Sequence, residues 1–310
     1  MSGQDDSERR EKVLLEAAEW LSKAIDDRMS SAERLQFDTW LNESREHLEA
    51  YHRIERLWQG SGDLPEVQQR REHLLKRLTR RDIGKGIILI GTAALGARYL
   101  LDAPLADFRT GQGEKRTIHA EDGSSFQLAP LTRMSLTFTG SERSIQLFHG
   151  EAYFDVANSD KPFSVQAGNG STTALGTSFS VRYREDLVRV VVNKHAVQVK
   201  AGNASMIVKE GEQLDYRHQL GPVRTADTAE ALAWTNGRLI FDGKPLGEVV
   251  ETLNLWHSGR IVIMSKALSA RPVTLIINTD RIESVASQLE SALPIKAVAI
   301  AAYLIFLFPA

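Results

Sequence analysis

Apolar residues along the chain change their period twice, from helical to alternating and then to a mixture of the two. Near the N-terminus Leu14, Ala17, Ala18, Leu21 and Ile25 recur every three or four residues, with Trp20 beside them, which predicts a helix with one apolar stripe. Ser30 followed by Glu33 is a capping-box pattern ahead of a second helix carrying Leu35, Phe37, Trp40 and Leu41. Leu48, Tyr51, Ile54 and Trp58 line a third helix. Asp63 with Pro65 opens a fourth that runs through Leu74, Leu75 and Leu78.

Beyond Glu114 the period falls to two. Short alternating runs such as "RMSLTF", "SIQLFHG", "EAYFDVA", "PFSVQA", "SFSVRY" and "AVQVK" are separated by turn residues, among them Asp122-Gly123 and "AGNGS". This spacing predicts an all-β domain over 107–225. From residue 232 onward strand and helix patterns alternate: "GRLIF", "PLGEVVETLNLW", "RIVIM", "PVTLIIN" and "RIESVASQLES". They predict an α+β module of two βαβ units over 232–310. The closing run "IKAVAIAAYLIFLFPA" contains Lys296, is short for a membrane span, and reads as two buried strands.

Between the helical and alternating parts lies "DIGKGIILIGTAALGARYLL". Residues 83–101 amount to 19, close to the roughly 20 that a membrane span needs, with Lys85 and Arg98 near enough to the ends to snorkel. Residues 64–85 carry seven Lys/Arg against three Asp/Glu, whereas 99–113 has Arg109 alone against Asp102 and Asp107. By the positive-inside rule this predicts a single transmembrane helix in the inner membrane, N-terminus cytoplasmic and C-terminus periplasmic. The alternative is a buried core helix. Arg80 and Arg81, within "TRRDIGK", are a candidate twin-arginine export signal, or else a simple topogenic charge cluster. The polar N-terminus, with no apolar h-region, predicts no cleavable signal peptide.

Composition narrows the chemistry. There are no cysteines, so disulfides, thiolate metal sites and cysteine nucleophiles are excluded. Overall charge is −2, and residues 1–63 hold nine basic and fifteen acidic side chains. A DNA-reading helix pair is basic on one face, so the N-terminal helices suit a basic protein partner rather than nucleic acid. The eight histidines are scattered without metal-ligand spacing. No nucleophile elbow, zinc-protease helix or phosphate-binding loop is present. No metal, cofactor or turnover enzyme is expected.

The chain resembles the FecR family of transmembrane sigma-factor regulators along nearly its whole length. At the N-terminus "AAEWLSKAIDDRMSSAERLQFDTWLNESREHLEAYHRIERLW" resembles the family's sigma-binding helices. In the β domain "LAPLTRMSLTF", "RSIQLFHGEAYFDVANSDKPFSVQA" and "ALGTSFSVRY" carry the resemblance. In the C-terminal part "WTNGRLIFDGKPLGEVVETLNLWHSGRIVI" is similar to the family's link into a signalling module like those of secretins and TonB-dependent receptors. Three departures stand out. "DGSSFQLAP" replaces a strand ending L-N-A, "NKHAVQV" (Lys194, His195) replaces an acidic-glycine turn, and "LNLWHSG" stands where an Arg-Tyr pair is common.

The resemblance implies a regulator that holds or activates an extracytoplasmic-function sigma factor. Trp20, Trp40, Leu41 and Trp58 are its sigma-binding candidates, with core packing as the alternative role for the tryptophans. It implies input from the N-terminal signalling domain of an outer-membrane TonB-dependent receptor, commonly for siderophores, with Leu246, Val250 and Trp256 as receptor-binding candidates. It further implies release of the helices by periplasmic and intramembrane proteases. Some family members break a Gly-Thr bond by an N-to-O acyl shift, which makes Gly176 and Thr177 a self-cleavage candidate. The plain alternative there is a tight turn, and the alternative for the whole chain is a membrane-anchored envelope assembly protein.

Overall fold

The computed structural model describes residues 2–25, 29–60, 106–139, 142–174, 176–300 and 303–310. The chain divides into two compact units: the β domain through Ile240 with Asn278–Asp280, and the N-terminal helices with Phe241–Ile277 and Arg281–Ala310.

The β domain runs from strand β1 (Phe108–Arg109) to strand β13 (Arg224–Thr225), thirteen strands among the described residues. Its axis is β5 (Arg143–Asp155). The first half of β5 pairs with β4 (Arg133–Phe138) and, in parallel, with β6 (Phe163–Ala167). The second half pairs with β3 (Ser125–Leu128) and β8 (Ser178–Arg184). Gly150 sits where the halves meet, at φ +99°, and a Cβ there would lie 2.4 Å from the Thr132 backbone. Only glycine fits a bend so placed, which explains the glycine inside "LFHGEAYF".

The alternating pattern buries one side of each strand. Phe126, Phe154, Phe163 and Phe179 are fully buried and meet at centroid distances of 5.3–6.4 Å. "DGSS" is a turn locked from within. Asp122 accepts from the Ser124 N–H at 2.9 Å and pairs with the buried Arg143 at 2.9 Å. Burial pushes the Asp122 carboxyl up, but the Ser124 and Arg143 hydrogen bonds outweigh it and hold it below the usual carboxylate range.

In the other unit, helices α1 (Ser2–Ile25), α2 (Ser31–Glu43) and α3 (Arg45–Gly60) follow the helical periods of the sequence. The capping box is formed: Ser30 Oγ accepts from the Glu33 N–H at 3.3 Å, and Glu33 Oε2 accepts from the Ser30 N–H at 2.9 Å. Leu14, Ala17, Ala18 and Leu21 are buried as their spacing predicts. On α3, Ile54 is buried and Tyr51 and Trp58 pack against the same core as the spacing predicts, while Ala50 is buried and Leu48 is 39% exposed.

The C-terminal part contains strands β14 (Arg238–Pro245), β15 (Arg260–Ile263), β16 (Pro272–Asn278), β17 (Ile295–Ile300) and β18 (Leu304–Pro309). Helices Leu246–Trp256 and Val285–Ala292 lie between them in sequence. β14 pairs with β16, and a second sheet has the order β15–β18–β17. β15 runs parallel to β18 and β17 antiparallel to it. The closing apolar run is therefore two strands. β18 is buried over all of Leu304–Phe308 because it is central in its sheet and covered on both faces.

α1 supplies one of those covers. Val13, Leu14, Ala17, Ala18 and Leu21 share a core with Val298, Ile300, Leu304, Phe306 and Phe308. Ser22 Oγ donates to the Ala299 carbonyl at 3.0 Å, and Lys296 pairs with Glu19.

The expected fold class needs one correction. No helix among the described residues is long and apolar enough to cross a membrane, so the single transmembrane helix is not supported. The stretch 83–101, the fourth helix beyond Asp63 and the Arg80–Arg81 pair lie outside the described residues. The physical reason against a separating span is the shared core. Side chains of α1 and of β17–β18 cannot pack together across a bilayer, so in this fold both stand on one side of any membrane.

Candidate functional site

Two places bring the singled-out residues together: the aromatic joints of the N-terminal helices and the loop entering β8.

The tryptophans of the helices are neither buried nor free. Trp20 packs against Phe37 at 5.7 Å, Phe37 against Tyr51 at 5.1 Å, and Lys23 lies over the Trp20 ring at 5.0 Å. Burial pushes the Tyr51 phenol up to about 12. Trp40 stacks on His47 at 4.5 Å and donates its indole N–H to Glu16 Oε2 at 2.8 Å. Trp58 packs half-buried beside Ile54, and Leu41 is half-buried on α2. These aromatic side chains fasten the three helices to one another.

What the helices leave in solvent is aliphatic. Leu35 is 69% exposed, Leu48 39% and Leu57 36%. An open groove between α1 and α3 is lined by Arg9, Arg10, Arg45, Arg53 and Arg56 with three carboxylates among them. The acidic excess of residues 1–63 is thus reversed locally, and the linear sequence hides this because α1 and α3 contribute separately to one groove. Leu35 is one of four apolar residues that the sequence places on α2, and nothing local in the letters marks it as the exposed one.

The Gly176–Thr177 bond lies between β7 (Gly170–Ala174) and β8. The Thr177 carbonyl accepts from the Val156 N–H at 3.0 Å, which anchors the loop to the end of β5. Thr177 is 4% exposed and its Oγ1 donates to the Lys194 carbonyl. Lys194 ends strand β9 (Leu187–Lys194), whose pairing with β8 shifts between Ser178 and Phe179. Ser178 faces Lys194 and Phe179 faces Val192, so Asn193 is bulged out. The next residue, His195, has φ +61°, and its Nδ1 lies 3.0 Å from the Gly176 carbonyl oxygen.

Glycine at 176 is required for space and not for a left-handed backbone. A Cβ there would lie 1.9 Å from Asn158 Oδ1. The expected self-cleavage residues are therefore adjacent to a hydroxyl acceptor and to an imidazole. In the sequence His195 stands out only as a departure from an acidic-glycine turn. Nothing in its spacing from Gly176, nineteen positions away, points to contact.

In the C-terminal part, Leu246, Val250 and Trp256 are buried in the helix Leu246–Trp256, at most 5% exposed. The exposed apolar residue nearby in sequence is Ile276 on β16, at 66%. No group of three or more histidine or acidic side chains that could hold a metal occurs among the described residues.

Residues 106–198 match the family model described as FecR protein, and residues 16–57 match a domain of unknown function, DUF4880. Among curated proteins none matches the chain. Two crystal structures of a candidate anti-sigma factor from Parabacteroides distasonis are similar to it, each at 24% identity over 66% of this chain. They are covered over 98% and 100% of their own lengths, with TM-scores of 0.54 and 0.55. At that identity the likeness is one of fold.

Proposed function

The chain belongs to the FecR family, and we propose that it is a regulator of the anti-sigma-factor type that holds an extracytoplasmic-function sigma factor with α1–α3. One observation carries this reading. A FecR domain follows, in the same chain, a helical element that leaves Leu35, Leu48 and Leu57 exposed although its apolar stripes are packed in a core shared with β17 and β18. Apolar side chains left in solvent on a packed scaffold suit a protein partner. The arginine-lined groove between α1 and α3 suits acidic segments of that partner.

Co-expression of the full chain with each extracytoplasmic-function sigma factor of its source, read as a binary complex and as output of that factor's promoter, tests it. One factor should bind and its promoter should respond. Absence of a complex with every factor refutes the proposal.

The geometry favours a second element, one self-cleavage at Gly176–Thr177. Thr177 Oγ1 adds to the Gly176 carbonyl carbon, the C–N bond breaks as Thr177 nitrogen takes the hydroxyl proton, and water opens the resulting ester. What supports it is the buried Thr177 side chain, its hydroxyl held by the Lys194 carbonyl. Mass spectrometry of the purified chain should find 1–176 and 177–310, and Thr177→Ala should remain whole. An intact wild-type chain refutes this element without touching sigma binding.

A further inference from the structure

We propose that His195 is a catalytic residue of that self-cleavage, an imidazole that donates from Nδ1 to the Gly176 carbonyl oxygen as the Thr177 hydroxyl adds to the carbonyl carbon. The inference rests on the self-cleavage reading and adds to it the group that stabilises the developing charge.

The tautomer follows from the contact. A peptide carbonyl oxygen only accepts, so at 3.0 Å the hydrogen resides on His195 Nδ1. The same carbonyl oxygen gains negative charge when the tetrahedral centre forms. A donor already aimed at it stabilises that state more than the planar amide. The neighbouring Lys194 carbonyl accepts the Thr177 hydroxyl. One end of β9 thus orients the nucleophile and polarises the bond it attacks.

The backbone at 195 is built for this at some cost. Histidine at φ +61° occupies the left-handed region that glycine fills without strain. Glu210 pins it there, accepting from the His195 N–H at 3.2 Å and donating its own N–H to the His195 carbonyl at 2.7 Å. The bulge at Asn193 turns the chain just before it. A residue whose only task was to turn the chain from β9 into β10 (Ala196–Ala201) would be better as glycine. Strain kept in a side chain that touches the candidate scissile carbonyl is what a chemical role requires.

The steps balance. Thr177 Oγ–C bond formation is matched by Gly176–Thr177 C–N cleavage, and the hydroxyl proton ends on the new amine. Water then divides the ester into the Gly176 carboxyl and the restored Thr177 hydroxyl. His195 lends its hydrogen to the oxyanion and recovers it.

The full chain, refolded from denaturant, is followed by electrophoresis and mass spectrometry for wild type, Thr177→Ala, His195→Gly and His195→Asn. Gly and Asn both accept the left-handed backbone, so each variant should melt no lower than wild type. Both should cleave about a hundredfold more slowly, the loss expected for one oxyanion donor. Added free imidazole should speed His195→Gly while leaving Thr177→Ala uncut. Cleavage of both variants at the wild-type rate overturns the role of His195 and leaves self-cleavage standing. Slow variants that imidazole does not speed make His195 a turn former and also overturn it. A wild-type chain that never cleaves removes both readings together.

Discussion

The β domain and the N-terminal helices spend their apolar residues differently. In the β domain Phe126, Phe154, Phe163 and Phe179 close on one another with no exposure. The helices bury only one stripe each on α1 and α3, join through half-buried aromatics, and leave Leu35 on α2 mostly in water. An alternating strand has two faces and can complete a core with its neighbours. A short three-helix element has too little interior for all its apolar side chains. It borrows β17 and β18 for α1 and leaves the rest for a partner. The β domain closes an aromatic core of its own and leaves Met206 and Ile207 exposed on one strand, whereas the helices lean on a neighbouring sheet for theirs.

Mutations test that contrast, and the largest effect belongs to the scaffold. Phe154→Ala removes a fully buried ring in contact with three others. It should cost about 3–5 kcal/mol in thermal or denaturant unfolding of the β domain. A loss under about 1 kcal/mol would mean that the β core is as loosely filled as the helices. Trp40→Ala breaks the stack on His47 and the hydrogen bond to Glu16, and should cost about 2 kcal/mol in helical stability. A clean loss of sigma binding with unchanged melting would instead make Trp40 a contact residue.

The next effect is one of pH. Burial lowers the pKa of His257 below the ordinary histidine value, against a partial pull upward from Glu283, while the Gly259 N–H donates to its Nδ1. The native state therefore holds this ring neutral and the unfolded state binds a proton more readily. Its contribution is present above the unfolded value and is lost as pH falls through the lower folded value. Melting should decline on acidification from neutral pH, and His257→Asn should flatten that part of the profile. An unchanged slope in the variant would assign the decline to other groups.

The smallest effect on folding is the most informative about the surface. Leu35→Ala, at a side chain 69% exposed, should shift stability by no more than about 0.5 kcal/mol. In sigma binding the same change should cost about 1–2 kcal/mol by titration calorimetry. Equal binding by the variant would place the partner elsewhere on the helices.

Much of this was legible in the letters, because it is local. The Ser30–Glu33 cap, the Leu14–Leu21 stripe and the short alternating strands each depend on residues a few positions apart, where backbone periodicity dictates which side chains share a face. The same reasoning puts Leu48 in the α3 stripe, whereas the structure leaves it 39% exposed and buries Ala50. The receptor candidates Leu246, Val250 and Trp256 came from the family resemblance and not from periodicity, and the structure buries all three.

The sequence by itself determined the elements, their order and the glycine at the bend of β5, because those follow from spacing, capping and backbone freedom. Only the tertiary structure decided what covers each apolar face and which distant groups meet. That α1 lies on β17 and β18, and that His195 reaches the carbonyl of Gly176, depend on chain paths that return from far along the sequence. No local period records such meetings, because burial rewards any apolar surface that fits and leaves the choice of partner to the packing of the whole.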